Sequence, residues 1–261
     1  MIITHLHPQR RKIVTFDDGS KSLFWDEIGE SYHSSQGSIE ESKYVFIYNG
    51  LDTILEKRVG TSISDTDDTH VNTETINILE YGFGTGLNLI LTLNRLIDAS
   101  QTLLYPKKTL EINYESMDLY PLTEKEYTSL DYEKLSPYYI PIHKAPWNKT
   151  FTLAIPNKLI LNNYSTIKVN IKKTLCDIRD FKGKLESVDL IYFDAFSPSN
   201  QPELWSPEII YNAADNLKHG GLFTTYSARG ILKTSLREKG LIVKRLKGFG
   251  KKHHMVNAYK N

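Results

Sequence analysis

The segment Thr75-Ile-Asn-Ile-Leu-Glu-Tyr-Gly-Phe-Gly-Thr-Gly-Leu-Asn88 constrains this chain most, because an apolar strand runs into three alternate glycines and then into a helix. Gly82, Gly84 and Gly86 can take positive φ and carry no Cβ. The backbone can therefore bend sharply and approach a ligand, with N–H groups and a helix N-terminus facing a polar or anionic group. The spacing is Glu80-x-Gly-x-Gly-x-Gly, which separates it from the dinucleotide fingerprint. There the third glycine falls one position later, where Leu87 stands here. Glu80, at the end of the strand, would repel a pyrophosphate but could hold an ammonium group. A tight strand-to-helix turn without a ligand is the bland alternative, so the rest of the chain has to decide.

A chain of 261 residues, 40% apolar and 24% charged, suits one α/β domain with elaborations. The formal charge of +1 gives the molecule no global attraction to polyanions, so a nucleic-acid surface has to come from local clustering. The single cysteine, Cys176, excludes an internal disulfide and a Cys-rich metal site, and fits a reducing compartment. The longest apolar stretch, from Leu87 to Ile97, is broken by Asn88, Asn94 and Arg95 and is too short to span a bilayer. With no signal-like N-terminus, the expectation is a soluble, cytoplasmic monomer without a membrane partner.

Along the chain, the first fifty residues read as a small β-rich region: Lys12 to Phe16, a turn at Asp17-Asp18-Gly19, Ser22 to Trp25, and then Tyr44-Val-Phe-Ile-Tyr48. A polar linker from Thr61 to Thr75 leads into the main fold. The expected division is an N-terminal extension and linker over 1–70 and a Rossmann-like domain over 71–261. From Ile76 onward strands and helices alternate, as in a parallel sheet with helices on both faces. The strands are Ile76–Glu80, Thr109–Asp118, Ile167–Ile171, Ser187–Asp194 and Gly221–Tyr226; Leu241–Leu246 and Met255–Tyr259 form a closing antiparallel pair. A helix follows the glycines from about Leu87 to Ala99, Thr123 caps a helix after Pro121, and another helix spans Gly230–Lys239. Alternation at Phe151, Leu153 and Ile155, then Leu159 and Leu161, suggests an inserted β-hairpin turned at Pro156-Asn157, beginning near Trp147. A mostly parallel sheet closed by an antiparallel pair is the architecture of class I methyltransferases, whose ligands lie outside the carboxyl ends of the strands. With Glu80 placed for an ammonium, S-adenosylmethionine fits the glycine turn better than NAD.

Four groups of residues carry candidate chemistry. Asp118 ends the second strand, where a carboxylate can accept from both hydroxyls of a ribose; a solvated strand-end acid is the alternative. Asp177 follows the third strand, where an adenine amino group would need an acceptor, though Asp also begins turns and caps helices. Val188 to Phe193 is nearly all apolar and so should be covered on both faces, which leaves Asp194 as a carboxylate at the mouth of a buried strand. Phe196, Pro198 and Trp205 follow it and could form a platform for a flat base, unless Asp194 only caps the next helix. Finally, Arg229 to Lys252 holds nine Lys and Arg against one acid, Glu238. Arg229, Lys233 and Arg237 share a helix face, and Lys247, Lys251 and Lys252 flank Gly248-Phe-Gly250; phosphate contacts or a merely solvated surface would both account for them. The adjacent His253 and His254 point to opposite sides of a strand, so no metal site is expected.

Together Gly82-Phe-Gly-Thr-Gly-Leu-Asn88, Asp194-Ala-Phe-Ser-Pro198 with Asn200-x-Pro-x-Leu-Trp205, and Lys247-Gly-Phe-Gly-Lys-Lys252 resemble the methyltransferase half of the MnmC family of tRNA-modifying enzymes. Tyr32-His-Ser34 with Gly37, and Glu41-Ser-Lys-Tyr-Val-Phe46, resemble its N-terminal segment, and the closer resemblance is to the stand-alone MnmD-type relatives, which lack the flavin-dependent oxidoreductase half. The resemblance implies a class I S-adenosylmethionine-dependent methyltransferase acting on the exocyclic amine of 5-aminomethyl-(2-thio)uridine at the tRNA wobble position, within the anticodon stem-loop. It further implies that Glu80, Gly82, Gly84, Gly86, Asn88, Asp118 and Asp177 hold the cofactor and that Asp194 serves the acceptor amine. Tyr32, Phe196, Pro198, Trp205, Arg229, Lys247, Lys251 and Lys252 would contact the RNA. A spermidine synthase-like aminopropyltransferase would share the glycine turn and the carboxylate after the fourth strand but needs no basic segment. A non-catalytic RNA-binding Rossmann domain would have no use for acids lining a groove.

Overall fold

A computed structural model describes residues 11–16, 19–33, 37–61, 73–102, 108–155 and 164–261. The N-terminal strands β1 (Arg11–Thr15), β2 (Lys21–Trp25) and β3 (Glu30–Ser31) form a small antiparallel sheet. The turn joining β1 to β2 is closed by Phe16 and Ser20, with Gly19 at φ +77°, while Asp17, Asp18 and Ser34 lie outside the described residues. The linker over 62–72 also lies outside them.

The main sheet has eight strands in the order β10-β11-β9-β8-β4-β5-β7-β6. Its parallel members are β4 (Thr73–Tyr81), β5 (Lys108–Asp118), β7 (Tyr164–Leu175), β8 (Val188–Phe193) and β9 (Leu217–Thr225). At one edge β10 (Ile242–Lys247) pairs antiparallel with β11 (His254–Tyr259), which pairs antiparallel with β9. From β4 the chain steps outward to β5 and β7, then returns to the other side of β4 for β8 and β9. That reversal opens a crevice at the carboxyl ends of β4 and β8, the place where open α/β sheets hold ligands.

Every residue of β8 is buried, as its apolar run predicts, because each face of the sheet is covered. On one face Ile76, Ile78, Leu190, Tyr192 and Leu222 pack with α3 (Leu87–Thr102) and the N-terminal helical segment. On the other, Leu79, Ile191, Phe193 and Phe223 pack with α6 (Pro207–Asn216) and α7 (Gly230–Glu238). The short helix α4 (Glu124–Thr128) begins where Thr123 predicts it, with a reciprocal capping box between Thr123 and Glu126. Helix α5 (Tyr139–Lys144) follows.

Two sequence expectations are corrected here. The Tyr44–Tyr48 run, read as part of a β-rich region, is helical: α1 (Ser38–Ser42), a π-helical stretch (Lys43–Leu51) and α2 (Asp52–Thr61) make one continuous helical segment. Val45, Phe46, Ile47, Leu51, Ile54 and Leu55 are all buried along it. Gly50 sets the closeness of its approach, since a Cβ there would come within 3.1 Å of Thr224 and 3.2 Å of Tyr192. A short apolar run has no period that separates such a helix from a strand, and tertiary packing decides.

The second correction concerns the inserted hairpin. Its first arm is β6 (Thr150–Ala154), which pairs antiparallel with Lys168 to Lys172 of β7 instead of with an arm at Leu159 and Leu161, and so forms an edge of the main sheet. The proposed turn and the arm over 156–163 lie outside the described residues. Trp147, just before β6, has a packing role: Lys173 on β7 is fully buried, with its ammonium 5.0 Å from the Trp147 ring and 5.7 Å from that of Phe83. Its Nζ donates to the His143 carbonyl at 3.0 Å, and burial pulls its pKa down to about 8.

Candidate active site

A cavity of about 500 Å³ opens at the carboxyl ends of β4, β5 and β8. The glycine turn forms its floor. Gly82, Gly84 and Gly86 all take positive φ. A Cβ on Gly82 would lie 2.6 Å from the Asp194 carbonyl oxygen, so this glycine allows β4 and β8 to end side by side. The expectation that the turn's N–H groups face a ligand is corrected at most of its positions. Gly82 and Phe83 donate to the Met117 carbonyl, Gly86 to that of Phe83, and Gly84 to Asp118 Oδ2 at 2.8 Å. The glycines thus serve close approach; β5 takes up the Gly82 and Gly84 donors, and the turn itself takes up that of Gly86. Behind the turn, His143 lies within 3.1 Å of the Thr85 carbonyl, and burial pulls its pKa to about 4.

Asp118 and Asp177 both line this cavity, as does Arg179, which sequence reasoning missed. Asp118 accepts from the Gly84 and Tyr120 N–H groups, one on each oxygen, and burial raises its pKa. Leu119 N–H also acts on this carboxylate, which keeps part of its four-site acceptor capacity for a ligand hydroxyl. Asp177 is held by Arg179, which donates from its backbone N–H at 2.8 Å and from Nε at 2.9 Å; these bonds lower the carboxyl's pKa. An Asx turn followed by Arg two residues later was the signal available for that pair.

Asp194 and Glu80 share one amide. Asn88 Nδ2 donates to Glu80 Oε1 at 3.0 Å and to Asp194 Oδ2 at 2.8 Å, and Ser116 Oγ donates to Glu80 Oε2 at 2.6 Å. Burial pushes Asp194 up to about 7 and Glu80 up to about 8. Glu80 is fully buried and does not line the cavity, which corrects its assignment to a cofactor ammonium: Asn88 and Asp194 stand in front of it. Its carboxyl orients Asn88 instead. The folded state holds Glu80's proton from its ordinary value of 4.5 up to about 8, so stability falls as pH rises through that window. Glu80→Gln is therefore expected to raise the melting temperature more at pH 8 than at pH 5, by roughly 3 °C, with Ser116 turning to accept from the new amide. Equal shifts at both pH values would contradict this.

The N-terminal sheet closes the cavity from above. Glu30 Oε2 accepts from Ser197 N at 3.0 Å, Ser197 Oγ at 2.8 Å and Asn200 Nδ2 at 2.9 Å, tying β3 to the loop after β8. Arg11 Nη1 donates to the Tyr32 hydroxyl and the Tyr120 carbonyl, tying β1 to the loop after β5. Tyr32 and Phe196 meet edge to face at 4.9 Å, with Trp25 beside them, and all three line the cavity as an aromatic wall. His33 contacts Thr85 Oγ1 at 2.7 Å, and burial pulls its pKa to about 4.

The remaining predicted residues are divided. Trp205 is corrected as a base platform: it is 1% exposed, packs on Phe193 and Tyr226, and donates from Nε1 to the Phe196 carbonyl at 2.8 Å. It braces the loop that presents Phe196. Pro198 and Arg229 lie outside the cavity along a shallow neighbouring groove, where Arg229 bonds Ser199 Oγ at 2.6 Å. Lys247 and Lys251 are exposed near the turn between β10 and β11. Lys252 instead reaches into the cavity wall, pairing with Glu41 at 2.5 Å above the Tyr226 ring. Among the described residues, no group of three or more His, Cys, Asp or Glu could hold a metal ion, and no helix is long and apolar enough to cross a membrane.

The site fits a nucleoside cofactor with an amino-acid end. A glycine floor closed to any Cβ, acids at the ends of β5 and β7, and a buried Asn88 Oδ1 without a partner all belong to it. Residues 141–261 match the family model described as S-adenosyl-L-methionine-dependent methyltransferase. The chain is also similar to part of the MnmC proteins. It is 30% identical over 261 residues to the tRNA 5-methylaminomethyl-2-thiouridine biosynthesis bifunctional protein MnmC of Legionella pneumophila (strain Corby), covering 93% of this chain and 35% of that protein. The chain thus spans about a third of the length of such relatives. Its fold is similar to MNMC2 from Aquifex aeolicus, with TM-score 0.64 and 24% identity over 98% of this chain and 72% of that one. It is also similar to spermidine synthase from Thermotoga maritima, with TM-score 0.50 and 13% identity over 96% of this chain and 68% of that one.

Proposed function

We propose that this protein transfers a methyl group from S-adenosylmethionine to the aminomethyl nitrogen of 5-aminomethyl-(2-thio)uridine at the tRNA wobble position, giving the 5-methylaminomethyl form. The observation that carries this reading is Asp194: a half-buried carboxylate held by Asn88 at the mouth of the cavity, which Phe196 and Tyr32 also line. The names of the MnmC relatives point to the same nucleoside. The bound cofactor would supply an electrophilic methyl carbon on a sulfonium and leave as a neutral thioether. Asp118 and Asp177 would hold its ribose and adenine, and the glycine turn its amino-acid end.

The acceptor nitrogen needs a free lone pair, yet an alkylamine is mostly protonated near neutrality. Asp194, oriented by Asn88, takes that proton and holds the nitrogen in line, so positioning and one proton transfer supply most of the acceleration. Phe196 and Tyr32 hold the uracil ring. Arg229, Lys247 and Lys251 meet the phosphates of the anticodon stem-loop. The protein works as a cytoplasmic monomer.

The test is incubation with methyl-labelled cofactor and tRNA from cells lacking the modification. Label in 5-methylaminomethyl nucleosides is expected. An aminopropylated diamine from decarboxylated cofactor, with no labelled nucleoside, would overturn the assignment in favour of a polyamine synthase.

A further inference from the structure

The turn between β10 and β11 brings a cation to the reacting end of the cavity. A Cβ on Gly248 would collide with the Lys252 carbonyl, so only glycine lets this turn close. Gly248 N–H bonds the His253 carbonyl at 3.2 Å and Lys252 N–H that of Phe249 at 3.0 Å. Tyr44 on the helical segment fixes the turn from outside, donating its hydroxyl to the Lys247 carbonyl at 3.0 Å and packing 5.9 Å from the Phe249 ring. Lys252 is thereby directed inward. Its Nζ lies 2.5 Å from Glu41 Oε1 and 4.5 Å from the centre of the Tyr226 ring, and all three residues line the cavity with Asp194.

The Lys252 side chain is 40% exposed, but its ammonium is already paired with the 11%-exposed Glu41 carboxylate. Asp194, by contrast, is surrounded mostly by acids. Glu41 on α1 and Glu30 on β3 both disfavour its charge, and it couples to Glu80 on β4, to Tyr114 on β5 and to Tyr226 after β9. Lys252 is a cation that acts on Asp194 in the opposite sense. We propose that Lys252 is a positioning residue for the transfer step: anchored on Glu41 and Tyr226 in the cavity wall, its ammonium opposes the neighbouring acids and favours the ionised form of Asp194 that takes the acceptor's proton. This rests on the reading of Asp194 as proton acceptor. The step is balanced: the substrate ammonium loses a proton to the Asp194 carboxylate, and the freed amine then receives the methyl group.

The test compares the wild type with Lys252→Met, Lys252→Arg and Glu41→Gln by single-turnover pH profiles at saturating tRNA. Carbon-13 titration of Asp carboxylates in the protein without RNA accompanies it. Lys252→Met should move the acidic limb, and the Asp194 titration, upward by about half to one pH unit, because the charged form loses its nearby cation. Lys252→Arg should restore both, and Glu41→Gln should move both downward. Cofactor affinity should stay within about twofold, as should the salt dependence of tRNA binding. An unmoved limb and titration in Lys252→Met, with a raised KM for tRNA and a shallower salt slope, would overturn the proposal and make Lys252 a phosphate contact. The titration needs no turnover, so a failure of the tRNA assignment would show as absent methylation in the wild type while the Asp194 shifts remained readable.

Discussion

Asp194→Asn is expected to lower single-turnover methyl transfer to aminomethyl-tRNA by about 10²- to 10⁴-fold near pH 7, the range over which a positioned proton acceptor acts. The substituted amide keeps an oxygen to accept from Asn88 Nδ2, so the local geometry survives. What is lost is the capacity to receive a proton. Cofactor affinity by calorimetry should change by no more than about threefold, because the floor, Asp118 and Asp177 are untouched. A variant retaining most of the wild-type rate would remove Asp194 from the chemistry. One that lost cofactor binding as severely as turnover would recast it as a structural residue of the floor.

Gly82→Ala should be the most damaging change in the glycine turn. The residue sits at φ +97°, and the new Cβ would lie 2.6 Å from the Asp194 carbonyl oxygen and 3.1 Å from its carbonyl carbon. These neighbours are backbone at the end of a fully buried strand and cannot swing aside. Strain and clash together should cost about 3 kcal/mol in urea unfolding, and cofactor binding should be lost as the ends of β4 and β8 separate. Gly84→Ala should be milder, since its Cβ would meet only the Tyr32 ring, at 3.1 Å. A Gly82→Ala protein that lost less than about 1 kcal/mol would show that the two strand ends can part at little cost.

Much of the core was legible because it rests on local patterns. The nearly all-apolar Val188–Phe193 run announced a strand covered on both faces, the alternate glycines announced the floor, and Thr123 announced a helix start; these follow from apolar patterning, φ preference and side-chain capping. Asp118, Asp177 and Asp194 were found because a polar residue ending an apolar strand stands out. What stayed hidden depends on contacts between distant segments. Glu30 and Glu41 are ordinary acids in the sequence, and only the folded chain brings Glu30 to Ser197 and Glu41 to Lys252. Trp205 carries no mark in the sequence that separates an aromatic bracing a loop from one offered to a base. The helix over Tyr44–Tyr48 was missed because five apolar-rich residues suit either period, and the packing of Gly50 against Tyr192 and Thr224 settles the choice.

The small N-terminal sheet limits where the chain can be shortened. Its links to the loops after β5 and β8 span 109 residues from Arg11 to Tyr120 and 167 from Glu30 to Ser197. A fragment beginning at residue 71 would keep every strand of the main sheet and every residue of the glycine floor, but would lack Trp25, Glu30, Tyr32 and Glu41. The loop carrying Phe196 would lose its anchor, and the acceptor end of the cavity would lie open to bulk water. The smallest piece with both halves of the site therefore begins no later than Arg11, well before the point at which the strand pattern of the main sheet starts.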